Sequence, residues 1–385
     1  MIFAIPYILF VFSFFFVQYV PKSIGKTEYY FFSRVYILLS LLLFLGCRGF
    51  IVTDWVNYYP FYEQLPGLHE DGALKFIKGY PWEKGFLFLS SFIKTFSSNY
   101  FVYQFILFSV DLLIINKIIK ENVNSNYYAL AYISFFVFQG FVIEVNLLRN
   151  AQSILLFLLS ITYIRSKSLF KYLLLNLFGI LFHTTSILYI PLYFILNRKF
   201  SRKSLLLLFF LGNIIFFTRF FWISGVLKLI LPLLGQSRFV SMIEAYKVLS
   251  GDANSYSIGV GFLERTVVYL FVVFYQEKII HEDVKRLPYI NLFYLFCFVY
   301  LFMSEFSILI ERISLLFVAG YWIVIPSLYG CMKQNGKKIF LIVFILYSVL
   351  KLFVQCDEPF YKYSNALFQK QDYNYSYKII DRSFK

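Results

Sequence analysis

Charge is scarce in this chain, and so are the residues that most often carry chemistry. Of its 385 residues only 15% are charged, against 60% hydrophobic and 23% aromatic. A soluble domain of this length could not cover that much apolar surface, so a water-soluble globular protein is excluded. Cysteine is rare: Cys47, Cys297, Cys331 and Cys356 stand far apart with no CxxC spacing. That excludes a thiolate metal site and leaves isolated apolar or surface residues. The three histidines, His69, His183 and His281, are equally scattered, and no HExxH pattern occurs. The first apolar run, Ile2 to Val20, lacks a basic leading region and a small-residue cleavage site, so it reads as a retained span. No internal repeat is visible. The net charge of +15 comes without any nucleic-acid motif, which leaves no role for nucleic acid.

What is abundant is the long apolar run. A spanning helix needs about 20 mostly apolar residues. Candidate spans fall near 2–20, 35–52, 99–116, 127–145, 150–164, 169–183, 184–197, 204–218, 259–275, 289–304, 313–331 and 339–354. Segment 85–96 is too short to cross comfortably and reads as interfacial or re-entrant, and 169–197 has the length of a tilted hairpin turning near His183. The fold class expected is therefore all-α: one polytopic membrane domain over 1–385, of about twelve helices with interfacial segments.

Basic residues orient it. Lys22, Lys26 and Arg34, Lys117 and Lys120, Arg165 to Lys171, "NRKFSRK" (197–203), "QEKIIHEDVKR" (276–286) and "KQNGKK" (333–338) fall on alternate connections. The excess of Lys and Arg on one side makes that side cytoplasmic. Both termini, loops 53–84 and 219–258 and the tail 355–385 then face outward.

On this topology Arg149, Arg265 and Arg312 lie at the outer ends of spans, with His183 at the same level. Burying a guanidinium there is costly, so several at one depth suggest a shared anionic ligand. Arg238 belongs with them as one flank of an apolar stretch in loop 219–258. Arg48 and Arg219 are read differently, as single arginines snorkelling to lipid phosphates. The adjacent pairs Glu264–Arg265 and Glu311–Arg312 point about 100° apart on a helix, so each is expected to pair across the bundle. Loop 53–84 interleaves Trp and Tyr with carboxylates and amides. That mixture suits a sugar, whose C–H faces stack on rings while its hydroxyls bond to polar groups. Trp55, Asn57, Tyr58 and Glu83 are the expected glycan contacts.

A resemblance rests on "DWVNYYPFY", "WEKGFLFLSSFI", "NLLRNAQSILLFLLSITYIRSKS", "LFKYLLLNLFGILFHTTSILYIPLYFI" and "ERISLLFVAGYWIVIPSLYG", in that order. Together these resemble the EpsG-like branch of Wzy-type bacterial polysaccharide polymerases, over about residues 50 to 330. The family's Arg-Gln-x-x-A element appears as Arg149-Asn150-Ala151-Gln152, with Asn in place of the first Gln. The resemblance implies a glycosyltransferase-C-like architecture. It also implies joining of polyprenyl-diphosphate-linked oligosaccharides into O-antigen, capsule or exopolysaccharide, at the outer face of the cytoplasmic membrane. Partners would be that lipid-linked substrate, the bilayer and a chain-length regulator.

Within that reading Arg149, Arg265, Arg312 and Arg238 hold the diphosphate, and His183 takes the acceptor proton, with Asp54 as orienting group or alternative base. No DxD motif lies near an outer loop, so neither metal nor cofactor is expected. A lipid-linked glycan ligase or another glycosyltransferase would need the same charges. A flippase would favour inverted repeats and polar groups at mid-membrane, which the sequence does not offer. A membrane O-acyltransferase would need an acid partnering its histidine, and none stands out.

Overall fold

Inside a bilayer each backbone polar group must be satisfied within its own segment, which favours helices. The computed structural model of the chain describes residues 2–19, 26–220, 222–223, 225–226, 259–305 and 307–383. Almost all of them are helical, and no named strand occurs among them. The all-α expectation holds. The chain divides into two compact units, residues 1–195 with 325–385, and 196–324.

The first unit begins with α1 (Ile5–Tyr19) and α2 (Lys26–Leu41), the latter running into a π-helical turn, Leu42–Gly46. Residues 53–84, expected as a loop, fold into α3 (Trp55–Gln64) and α4 (Ala73–Gly79). Segment 85–96 becomes α5 (Lys84–Lys94), short as expected of an interfacial helix. Next comes α6 (Tyr100–Asn122), started by Asn99, whose side chain accepts from the N–H groups of Phe101 and Val102. Helices α7 (Tyr128–Val137) and α8 (Gly140–Asn146) form a pair bent by 52°. Then follow α9 (Leu148–Arg165) and α10 (Leu169–Ile180).

The expected turn near His183 is there. Beyond it the chain is not α-helical but an eleven-residue 3₁₀ helix, Thr184–Phe194. Such runs are rarely this long. Its three-residue period puts Ser186, Tyr189 and Leu192 on one buried face, and the Tyr189 ring stacks on Phe157 at 3.8 Å.

The second unit holds α11 (Arg202–Thr218), α12 (Val260–Glu282), α13 (Leu287–Phe302), α14 (Ser307–Leu315) and the start of α15 (Ala319–Cys331). Tyr269 on α12 donates to the Leu205 carbonyl at 2.8 Å and stacks on Phe209. Gly320 lies so near α13 that an added Cβ would meet the Phe293 nitrogen at 2.5 Å. The rest of α15, α16 (Gln334–Cys356) and a C-terminal helix, α17 (Tyr373–Ser383), return to the first unit.

Four described helical segments are long and apolar enough to cross a membrane: Tyr29–Gly46, Tyr100–Asn122, Val284–Phe302 and Gln334–Cys356. The bent pair α7–α8 makes a fifth. The other expected spans are shorter, broken or richer in polar groups. Large side chains such as Phe16, Phe210, Leu346 and Val354 stand exposed, as lipid-facing residues must. All four cysteines are free and buried. Loop 219–258, with Arg238, lies almost wholly outside the described residues.

Much of what positions the site is one aromatic core. Phe50, Trp55, Tyr58, Phe61, Tyr62, Phe86, Tyr100 and Tyr103 are buried together, fastening α3 and α5 to α6. The Tyr62 and Tyr103 rings stack at 4.3 Å, an arrangement that adds about 0.5–1.5 kcal/mol to simple burial.

Candidate functional site

Between α8 and α9 the chain breaks at Leu147, and polar residues crowd the break. Successive helical residues point about 100° apart, so each of these side chains meets a different part of the unit. The Asn146 Oδ1 accepts from the backbone N–H groups of Thr53 at 3.1 Å and Asp54 at 3.0 Å. Arg149 donates to Glu83 Oε2 at 2.6 Å. Asn150 Oδ1 accepts the Thr185 hydroxyl at 3.0 Å, and Gln152 Nε2 donates to Asp111 Oδ2 at 2.7 Å. Residues 146–152 are therefore a hub joining the start of α3, the start of α5, α6 and the 3₁₀ helix.

Arg149 does not wait unpaired. Its guanidinium sits 4.6 Å over the Trp82 ring, and its charge also acts on the Tyr58 hydroxyl. Glu83, expected among the glycan contacts, is the ion partner of Arg149, placed there by its position at the start of α5, against the turn that follows α10. Gly85 permits that approach: its N–H donates to the Leu181 carbonyl at 2.8 Å, and a Cβ there would meet the same oxygen at 2.8 Å. The Thr184 N–H reaches the other Glu83 oxygen at 3.4 Å. The ion pair is half open, with side-chain exposures of 24% for Arg149 and 15% for Glu83. Arg149 Nε has no hydrogen-bond partner among the described residues.

The glycan expectations for α3 change accordingly. Trp55 is only 3% exposed and spends its indole N–H on the Val52 carbonyl. Tyr58 is buried as well; burial raises its phenol above the usual range, and the Arg149 guanidinium opposes that shift. Neither ring offers an open stacking face, because the aromatic core needs both. Asn57 is exposed, and Asp54 occupies the capping position of α3 half exposed, without a side-chain cap bond.

His183 stands at the head of the 3₁₀ helix, its Nδ1 2.7 Å from Thr185 Oγ1. Thr185 thus holds Nδ1 through its hydroxyl and, at 3.3 Å, through its N–H, and the Thr185 hydroxyl also donates onward to Asn150, an arrangement by which a second partner orients the imidazole. His183, Glu83 and Arg149 are thus tied together through Thr184, Thr185 and Asn150.

A second polar group lies deeper. Arg48, expected to snorkel, is 1% exposed. It donates to the carbonyls of Leu45 at 2.7 Å and Glu144 at 3.1 Å. Asp111 and Glu144, both buried, face each other through their carboxyls. Asp111 Oδ1 has no hydrogen-bond partner among the described residues. The sequence carried a signal for these two: acids inside apolar helices are functional or tightly paired. Trp82 carried none beyond its place in an aromatic loop.

In the second unit the Arg265 guanidinium lies 3.7 Å over the Tyr300 ring, and Glu264 accepts the Tyr321 hydroxyl at 2.5 Å. Arg312 and Glu311 are exposed on α14.

A profile of the EpsG family matches residues 29–365, most of the chain. No curated protein and no solved structure matches it. With the apolar helices, the family match points to a membrane protein of exopolysaccharide synthesis with a polymerase-type function, glycosyltransferase-like in chemistry.

Proposed function

The chain belongs to the EpsG family, and we propose that it joins polyprenyl-diphosphate-linked oligosaccharides into exopolysaccharide at the outer face of the bacterial cytoplasmic membrane. The observation that supports this is Arg149, a half-open guanidinium held between Trp82 and Glu83 with its Nε unpartnered. Sugar transfer breaks the bond between C1 and the diphosphate oxygen, and charge grows on the leaving diphosphate. A preorganised guanidinium in a poorly hydrated site stabilises that charge most strongly. The incoming diphosphate competes with Glu83 for Arg149. The acceptor hydroxyl oxygen bonds to C1 and gives its proton to the His183 imidazole, with Asp54 as the alternative base. The displaced Glu83 carboxylate stays near the resulting imidazolium through the Thr184 and Thr185 connection. Arg149 carries the reading. Arg265 and Arg312 belong to the second unit and Arg238 lies outside the described residues.

The test is deletion of the gene, followed by analysis of surface glycan and lipid-linked intermediates. Polymerisation predicts accumulation of single lipid-linked repeats and loss of long polymer, restored by the wild-type chain and not by Arg149→Ala. A deletion strain that still builds long polymer on its lipid carrier but fails to transfer it would assign a ligase instead.

A further inference from the structure

The C-terminal tail folds back onto the chain. Its backbone runs beside residues 47–52: Gly49 N–H donates to the Ser364 carbonyl at 2.9 Å, Val52 N–H to Phe360 at 2.8 Å, and Ala366 N–H to Cys47 at 2.8 Å. Arg48 and Asn365 form an antiparallel bridge there. The Gln371 and Ser364 side chains close over Gly49, where an added Cβ would lie 2.0 Å from Gln371 Oε1 and 2.3 Å from Ser364 Oγ. Helix α17 then lies against α3. The Tyr373 ring stacks on Tyr59 at 5.1 Å and meets Trp55 edge-on at 5.5 Å.

Between tail and α3 opens a cleft of about 360 Å³, within the range of small-ligand sites. Phe50 and Trp55 form part of its floor, and Lys362, Lys370, Asp372 and Tyr375 stand on its rim. Tyr375 is 56% exposed, with Lys362 Nζ 3.3 Å from its hydroxyl. A lipid chain would need an apolar wall throughout, which this rim denies it. The exposed Tyr375 ring, set among ammonium and carboxylate groups above the buried Phe50 and Trp55, suits a hydroxyl-rich ligand of neutral or acidic charge. Location adds to the chemistry. Trp55 of the cleft and Tyr58, whose hydroxyl feels the Arg149 charge, are one turn apart on α3, about 5 Å along the axis.

We propose that this cleft is a second glycan subsite, holding sugar residues of the lipid-linked chain beyond the one being transferred. The proposal rests on the polymerase reading. Two contacts on one chain raise its effective concentration at the site, so a growing glycan held here dissociates less often between additions. The cleft's effect is then on product length.

The experiment uses the full-length protein in lipid nanodiscs. The binding probe is an oligosaccharide of two or three repeat units released from the host's own polysaccharide, free of lipid and diphosphate. The substrate is lipid-linked repeats extracted from the deletion strain. Tyr375→Ala and Lys370→Ala change exposed side chains, and each is expected to weaken oligosaccharide binding by roughly three- to tenfold and to shorten the polymer. Lys378→Ala, exposed on the same helix but away from the cleft, is expected to match wild type. Arg149→Ala is expected to lose polymer while still binding the free oligosaccharide. Wild-type oligosaccharide affinity in both cleft variants overturns the subsite, as does a cleft that takes short-chain phosphatidylglycerol and not oligosaccharide. If the wild-type protein makes no polymer from lipid-linked repeats while the cleft variants lose oligosaccharide affinity, the polymerase reading falls and the glycan site stands.

Discussion

Two arginines of the same unit, Arg48 and Arg149, meet the membrane interior in opposite ways. Arg48 is sealed, and its donors go to backbone carbonyls of Leu45 and Glu144. Both carbonyls belong to the last turns of helical segments, where no further turn exists to satisfy them. Arg48 is therefore a cap shared by two helix ends, with Asp111 and Glu144 nearby to meet its charge. Arg149 is half open, and its partners are side chains: a carboxylate, a phenol and an indole face. Side chains can turn aside when a ligand arrives, and backbone carbonyls cannot. Burial of a charge does not mark a binding site; exchangeable partners do.

The sharpest way to break this comparison is to exchange the two losses. Arg48→Ala leaves buried carboxyls and helix ends uncompensated, a change that costs about 3–5 kcal/mol. It should sharply reduce folded protein and lower the Tm in detergent. Arg149→Ala should keep wild-type protein level and Tm and make no polymer. An Arg48→Ala protein as stable as wild type would remove the distinction.

Arg149→Lys sharpens the same point, since lysine keeps the charge without the two-pronged fork. Polymer should be absent while membrane insertion stays normal; near-normal glycan would reduce Arg149 to a point charge. The His183→Gln variant retains hydrogen bonding but cannot accept the proton. Purified, it should polymerise far more slowly than wild type between pH 6 and 8, and an unchanged rate would make His183 structural and leave Asp54 as the base.

Gly85→Ala tests whether Glu83 must be held where it is. The added methyl presses on the Leu181 carbonyl, costing about 1–3 kcal/mol. Activity should fall more than protein level, because the carboxylate shifts relative to Arg149. Tyr58→Phe is expected to do least: it removes one polar neighbour of Arg149 while keeping the ring in the aromatic core. A loss as severe as that of Arg149→Ala would mean that the phenol itself takes part in the chemistry.

The local features were legible because they are local. The polar residues 146–152 within an apolar run, the turn at His183 and the shortness of segment 85–96 are all visible over a few helical turns of sequence. Aromatic residues in 53–84 were visible too, but not their burial. The same rings that could stack on a sugar serve to pack α3 and α5 onto α6.

Composition and periodicity alone determined that this is a helical, polytopic membrane protein with costly cations inside it, because hydropathy and helical repeat act along the chain. Tertiary structure decided what each cation meets. Glu83 reaches Arg149 across 66 positions, Arg48 meets the Glu144 carbonyl across 96, and the tail returns to residues 47–52 across more than 300. No repeat or spacing encodes such pairings. They follow from which helices pack together, and the single glycine at 85 sets how closely the start of α5 meets the turn after α10.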